Sequence, residues 1–84
     1  MHMHPISSPL QIGKILSSRR KALGVSQAAM AAKLGISQQR VSDLETQPGE
    51  LTVARLAIWL SILDLEMYID KRPDMIRDAA KVEW

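Results

Sequence analysis

Three consecutive polar residues, Gln38, Gln39 and Arg40, carry the side chains best placed for hydrogen-bonding chemistry. A glutamine carboxamide offers a donor beside an acceptor, which matches the donor–acceptor pair on the edge of adenine. An arginine can donate two parallel bonds to guanine, or it can bind a phosphate. On an arbitrary helix the same residues would be ordinary solvated positions, so the elements around them decide between the two interpretations.

The surrounding sequence predicts two short helices joined by a tight turn. Ser26 is expected to cap the helix "QAAMAAKL", and Ser37 the helix "QQRVSDLET". Gly24 and Gly35 stand where helices end, because glycine adopts the left-handed conformation at little cost. Two helices joined by such a turn form a helix-turn-helix, which places its second helix in the DNA major groove.

This arrangement predicts a set of DNA contacts. The first turn of the second helix of the motif reaches base edges, so we expect base contacts from Gln38, Gln39 and Arg40. Gln27 opens the preceding helix, where its carboxamide and the free backbone N–H groups can contact a phosphate. The full set of expected phosphate contacts is Gln27, Lys33, Ser37 and Ser42.

One further helix is predicted on each side of the motif. Ser8 and Pro9 are typical of a helix start, and Gln11 is expected to complete a capping box. The inward residues of this first helix are predicted to be Leu10, Ile15, Leu16 and Leu23. Thr52 is expected to cap a fourth helix, "VARLAIWLSILD", which is apolar nearly all round. One stripe on that helix is Val53, Leu56, Leu60 and Leu63, and the other is Ile58, Trp59 and Ile62.

The fourth helix and the segment after it predict a homodimer. A helix without a polar face is buried on both sides, and the first three helices can cover only one of them. Residues 65–70, "LEMYID", alternate in polarity and are predicted to form one strand, which needs a neighbouring strand to be stable. The same strand of a second copy supplies it. The predicted interface comprises Ile58, Trp59, Ile62, Leu65, Met67 and Ile69, although Trp59 suits the core equally well.

Composition limits the class of protein. Residues 1–46 contain six Lys/Arg and two acids, whereas residues 47–84 contain five Lys/Arg and seven acids, so a polyanion-facing surface is expected in the first half. There is no cysteine and no apolar run of membrane-spanning length, so a cytoplasmic, nucleoid-associated protein is expected. His2 and His4 are interpreted as a solvated start or a cloning remnant, and no metal, cofactor, small-molecule ligand or enzymatic activity is expected.

The expected organisation is mainly α, with four to five helices and one C-terminal strand. It divides into a disordered start (1–7), a helix-turn-helix domain (8–64), a dimerising strand (65–70) and a tail (71–84). A short amphipathic helix is possible in the tail, beginning near Pro73.

The pattern "R......Q..MA..LGIS...VS..E" resembles the lambda-repressor/Cro-like (Xre) family. Its residues here are Arg20, Gln27, Met30, Ala31, Leu34, Gly35, Ile36, Ser37, Val41, Ser42 and Glu45. The resemblance implies that Arg20 and Glu45 form a structural pair that braces the first helix against the third. It also implies that Met30 lies in the core.

The order of parts also resembles the HipB antitoxins of HipBA toxin–antitoxin modules. A repressor-like domain is followed by one strand, a short polar tail and a terminal Glu83-Trp84. The resemblance implies a homodimer that binds a palindromic operator of its own operon and holds a HipA-type Ser/Thr kinase toxin, with Trp84 as a candidate toxin contact. Two alternatives stay open: a stand-alone phage-like repressor, and an interaction module for which DNA binding is secondary.

Overall fold

Four α-helices and one short 3-10 turn make up the part of the chain that the structure describes. The structure is a computed structural model, and it describes residues 5–72. The elements are α1 (Pro9–Ala22), α2 (Gln27–Leu34), α3 (Gln38–Thr46), the 3-10 turn (Pro48–Glu50) and α4 (Val53–Ile62). Residues 65–70 do not form a strand in the single chain. The pairing partner predicted for them is a second copy of the chain, so the strand stays a prediction.

The helix ends lie where local side-chain chemistry predicts them. The hydroxyl oxygens of Ser26, Ser37 and Thr52 each accept a backbone N–H from the first turn of the helix that follows, at 3.0–3.1 Å. At the start of α1, the Gln11 carboxamide oxygen accepts the Ser8 N–H at 3.0 Å. Each such bond satisfies backbone donors that a helix start leaves without an intrahelical partner.

Glycine ends the first two helices, as predicted. Gly24 and Gly35 have φ of 71° and 70°, the left-handed conformation that is costly for most residues with a Cβ. After α1, Val25 N–H donates to Arg20 O and Gly24 N–H to Lys21 O, both at 3.0 Å. This is the Schellman pattern, and it reverses the chain at once into the cap of α2.

The core gathers side chains from all four helices. Its buried apolar members are Leu16, Met30, Ala31, Val41, Leu44, Leu56, Trp59 and Leu63. Trp59 is fully buried, and its indole N–H has no hydrogen-bond partner among residues 5–72. Apolar packing therefore holds this side chain in place.

The predicted inward face of α1 was partly wrong. Leu16 is buried and Ile15 half-buried, but Leu10 and Leu23 are exposed, Leu10 by 60%. The buried stripe of the helix is instead Gly13, Leu16 and Arg20, at helical spacing. A pattern of apolar residues could not identify it, because glycine and arginine occupy two of its three positions.

The predicted stripes on α4 also need correction. Leu56, Trp59 and Leu63 form the buried face, whereas Val53 and Ile58 are exposed and Leu60 and Ile62 are half-buried. Trp59 was predicted in the dimer interface; it has no accessible surface left for a partner, so it belongs to the core of its own chain.

Close approach of α1 to the end of α3 depends on Gly13. A Cβ built on Gly13 would overlap the backbone oxygen of Glu45 and would lie 3.2 Å from its carbonyl carbon and 3.0 Å from Pro48 Cγ. Because glycine has no Cβ, α1 can pack directly on the backbone of α3 and on the 3-10 turn. The sequence offered no local signal for this role.

Most residues from Asp64 to Arg72, after α4, are accessible to solvent. Asp64, with φ of 56°, turns the chain at the end of α4, and Leu65 N–H donates to Leu60 O at 2.9 Å. Met67 and Ile69 are exposed, and the Tyr68 hydroxyl donates to the Glu66 carboxylate, which raises the pKa of that phenol. Within residues 5–72 no helix has the length and apolarity to cross a bilayer.

Candidate nucleic-acid interface

The first turn of α3 presents the three candidate base-contacting side chains to solvent. Ser37 caps the helix by accepting the Arg40 N–H at 3.0 Å, which fixes where the turn begins. Gln38, Gln39 and Arg40 are all exposed. Val41 and Leu44 point from the same helix into the core, so burial of one face of α3 directs the polar tip outward.

Two of the three tip residues are held by acids of the same chain. Gln39 Nε2 donates to Asp43 Oδ1 at 2.9 Å, one helical turn away. Arg40 Nη1 lies 3.2 Å from Glu50 Oε2 in the 3-10 turn. The Gln38 side chain makes no hydrogen bond with any residue in the described range 5–72, so it is the member of the set that gives up no bond within that range to contact a ligand.

A buried ion pair supports α3 from behind. Arg20 Nε donates to Glu45 Oε2 at 2.7 Å, and Arg20 Nη2 donates to Glu45 Oε1 at 3.1 Å. Arg20 Nη1 also donates to the Val25 carbonyl at 2.9 Å. The two side chains are 7% and 5% exposed. The pair implied by the family resemblance is therefore present, and its bidentate geometry fixes α1, α3 and the turn before α2 relative to one another.

Gln27 joins this network. Its Nε2 donates to Glu45 Oε1 at 3.1 Å, so the carboxylate connects the first residue of α2 to α3. A carboxamide nitrogen has two hydrogens, and the second is still available for a phosphate. The backbone N–H groups that open α2 lie at the same end. The expected phosphate contact of Gln27 stays a prediction, now with a defined orienting partner.

The remaining candidate phosphate contacts occupy different environments. Lys33 is exposed in the last turn of α2, and Ser37 is exposed, with a hydroxyl hydrogen that is donated to no residue between 5 and 72. Ser42 is half-buried on α3.

The predicted dimer residues differ in accessibility. Ile58, Met67 and Ile69 are exposed, and Ile62 and Leu65 are half-buried. These five leave apolar surface on α4 and the segment after it, which a second copy could cover. The predicted toxin contact Trp84, the tail from Pro73 onward, and His2 and His4 all lie outside the described residues.

Sequence reasoning missed three residues that position the site. Gly13 allows the close approach of α1, and Glu50 binds Arg40. Arg19 Nε, on α1, donates to the Leu63 carbonyl at 3.0 Å and so gives a hydrogen bond to a carbonyl at the end of α4. Each contact joins positions at least ten residues apart, so neither spacing nor local composition could signal it.

Comparison with known proteins agrees with this architecture. The helix-turn-helix family matches residues 16–68. Antitoxin HipB of Escherichia coli O6:H1 (strain CFT073) is 28% identical over 87 aligned positions, covering 100% of this chain and 93% of the relative.

The solved structures that are similar in fold include two that contain HipB. A HipB variant in complex with an O2 20mer is 30% identical with a TM-score of 0.73, over 83% of this chain and 97% of that one. A HipA–HipB–O2–O3 complex is 29% identical with a TM-score of 0.73, over 82% and 97%. Both matches take in most of each chain, and the family match covers more than half of this one. The chain therefore belongs to the Xre-like helix-turn-helix family and is similar, along nearly its whole length, to the HipB antitoxins.

Proposed function

We propose that this protein is a sequence-specific DNA-binding antitoxin that represses its own operon and binds a HipA-type Ser/Thr kinase toxin. The observation that carries the proposal is the exposed polar tip of α3, held by the buried Arg20–Glu45 pair in a fold shared with HipB in its operator complexes. The fold supplies the scaffold, and the tip supplies groups that can contact base edges.

In the proposed complex, α3 enters the major groove by its N-terminal end. Gln38 contacts a base directly, and Gln39 and Arg40 do so after exchanging their acidic partners for the duplex. The backbone N–H groups that open α2, with Gln27, Lys33, Ser37 and Ser42, hold the phosphates on either side. In a two-fold dimer the two tips occupy successive major grooves about 34–36 Å apart, which implies a palindromic operator.

Removing both glutamine carboxamides is expected to weaken sequence preference, because only Arg40 of the three proposed base contacts remains. For Gln38→Ala/Gln39→Ala we expect affinity for a duplex from upstream of the protein's own gene to fall by at least about tenfold, because each good base contact contributes about 1–3 kcal/mol. Fluorescence anisotropy against this duplex and a shuffled one measures the effect.

Gln47→Ala is the matched control, because Gln47 is exposed at the opposite end of α3 and its side chain makes no hydrogen bond with residues 5–72. We expect it to bind like the wild type. Equal binding of both duplexes by the wild-type protein, or an unchanged affinity in the double variant, would remove base recognition from the tip of α3.

Dimerisation is proposed through the accessible apolar residues of α4 and 65–70. A lysine in place of Ile58 would put a charge in the centre of the proposed interface, so Ile58→Lys is expected to raise the dimer dissociation constant by at least about tenfold. Sedimentation equilibrium measures it. Val53→Lys is the control, because Val53 is exposed on the same helix and lies outside the proposed interface. A wild-type monomer at micromolar concentration contradicts the proposal.

Toxin binding is proposed from the similarity to HipB, which has been solved together with HipA. The proposed anchor is Trp84, because a large apolar side chain at an interface centre commonly contributes several kcal/mol. Trp84→Ala is expected to weaken capture of the adjacent gene's product at least about tenfold while leaving operator binding unchanged. Calorimetry with that product measures the change, and undiminished affinity removes the role from Trp84.

The neighbouring reading frame separates this proposal from a stand-alone repressor. An adjacent gene for a kinase of the HipA type agrees with the antitoxin function. Operator binding without such a gene, and without any toxin partner, agrees with the phage-like alternative.

A further inference from the structure

We propose that Glu50 is a positioning residue that competes with DNA for the guanidinium of Arg40. The inference rests on the proposed DNA-binding function and deepens it, since it assigns a role in affinity to a residue outside α2 and α3. Arg40 is the only arginine in the first turn of α3, and in the protein without DNA it is paired with Glu50.

The pair joins two fixed backbones through flexible side chains. Glu50 belongs to the 3-10 turn, which begins at the buried Pro48 and is closed by a bond from Leu51 N–H to Pro48 O at 3.0 Å. Pro48 packs against α1 at Gly13. The backbone carrying the carboxylate is therefore fixed, as is that of α3, and Arg40 can leave the carboxylate by rotating its long side chain.

The pair is exposed enough to exchange. The side chains of Arg40 and Glu50 are 46% and 56% exposed, and a single contact at 3.2 Å joins them. The buried Arg20–Glu45 pair, in contrast, has two contacts and very little accessible surface. Exposed pairs of this kind are weak, so a phosphate or a guanine edge can replace the carboxylate.

The exchange lowers the net gain from DNA binding. Carboxylate, phosphate and guanine all accept from the same guanidinium donors, so Arg40 gives up Glu50 when it contacts a duplex. Gln38 has no such partner within the described chain. Gln38 therefore engages the duplex without giving up an internal hydrogen bond, whereas Arg40 contributes only the difference between its contact with DNA and its contact with Glu50.

Neutralising Glu50 is therefore expected to strengthen DNA binding. For Glu50→Gln we expect affinity to rise by about two- to fivefold per protomer, the range that corresponds to an exposed ion pair. The probes are a 20-base-pair duplex from upstream of the gene and a shuffled 20-base-pair duplex. Asp64→Asn is the control for net charge, because asparagine tolerates the left-handed conformation of residue 64 and the substitution removes one negative charge from the end of α4.

A double-mutant cycle with Arg40→Met decides whether Glu50 acts through Arg40. If it does, Glu50→Gln has no effect on affinity in the Arg40→Met background. An increase that persists there shows simple repulsion between Glu50 and the phosphates and overturns the inference. An increase of equal size in Asp64→Asn, or none in Glu50→Gln, overturns it as well.

A measurement without DNA separates this inference from the proposed function. The NMR shifts of the Arg40 guanidinium, whose Nη1 contacts Glu50, are expected to change in Glu50→Gln and to stay constant in Asp64→Asn. If those shifts respond but no duplex binds, the ion pair is real and the proposed DNA-binding function fails. If duplexes bind and the shifts do not respond, the role of Glu50 fails alone.

Discussion

Gly13→Ala is expected to lower the free energy of unfolding by about 2–3 kcal/mol, despite the higher helix propensity of alanine. The new Cβ would overlap the Glu45 backbone oxygen and press on Pro48. The first obstacle is backbone, which cannot turn aside as a side chain can, so α1 must move away from α3. For a domain of this size the melting temperature falls by about 10 °C or more, which calorimetry measures.

Gly49→Ala is the matched control for this prediction. A Cβ on Gly49 would meet only Pro9 side-chain atoms, at 3.9 and 4.0 Å, which is ordinary van der Waals contact. We expect its melting temperature to lie within a few degrees of the wild type. If the two alanine variants have the same melting temperature, the close approach of α1 to α3 does not limit stability.

Arg20→Met is expected to cost about 3–5 kcal/mol, because it leaves the Glu45 carboxylate buried with only Gln27 as a side-chain partner. It also deprives the Val25 carbonyl of its bond from Arg20. A loss of this size is a large part of the stability of a small domain, so partial unfolding at room temperature is expected. Urea titration followed by circular dichroism measures it.

Arg40→Met tests whether burial of the Arg20–Glu45 pair causes the large loss of stability expected for Arg20→Met. It breaks the exposed Arg40–Glu50 pair and is expected to change stability by no more than about 1 kcal/mol. The double variant Arg20→Met/Glu45→Met is expected to recover at least half of the loss, because it removes the uncompensated charge. Equal effects of Arg20→Met and Arg40→Met, or a double variant less stable than Arg20→Met, would contradict this account.

Both predictions concern the junction of α1 with α3, which carries the tip. Both contacts are made with Glu45: Arg20 binds its carboxylate, and the missing Cβ at Gly13 lets α1 approach its backbone oxygen. A change at either place moves the tip relative to α2. We therefore expect DNA contacts to respond to positions that never touch the duplex.

Local chemistry in the sequence was sufficient to place the helix-turn-helix. The cap oxygens of Ser26 and Ser37 bond to N–H groups three residues away, and Gly35 ends α2 through its own conformation. Such interactions depend on immediate neighbours, so spacing alone predicts them. For the same reason the sequence predicted that Gln38, Gln39 and Arg40 form the first turn of α3.

The tertiary structure decided what those elements touch. Leu10 and Leu23 are as apolar as Leu16 yet remain exposed, and Trp59 is in the core of its own chain. Arg40 is paired with Glu50, and Gln27 is oriented by Glu45. These outcomes depend on how close two backbones approach after the chain has folded, and that distance is fixed by packing among residues far apart in sequence. The sequence alone therefore determined which groups the site contains, and the packed fold determined which of them are free to bind.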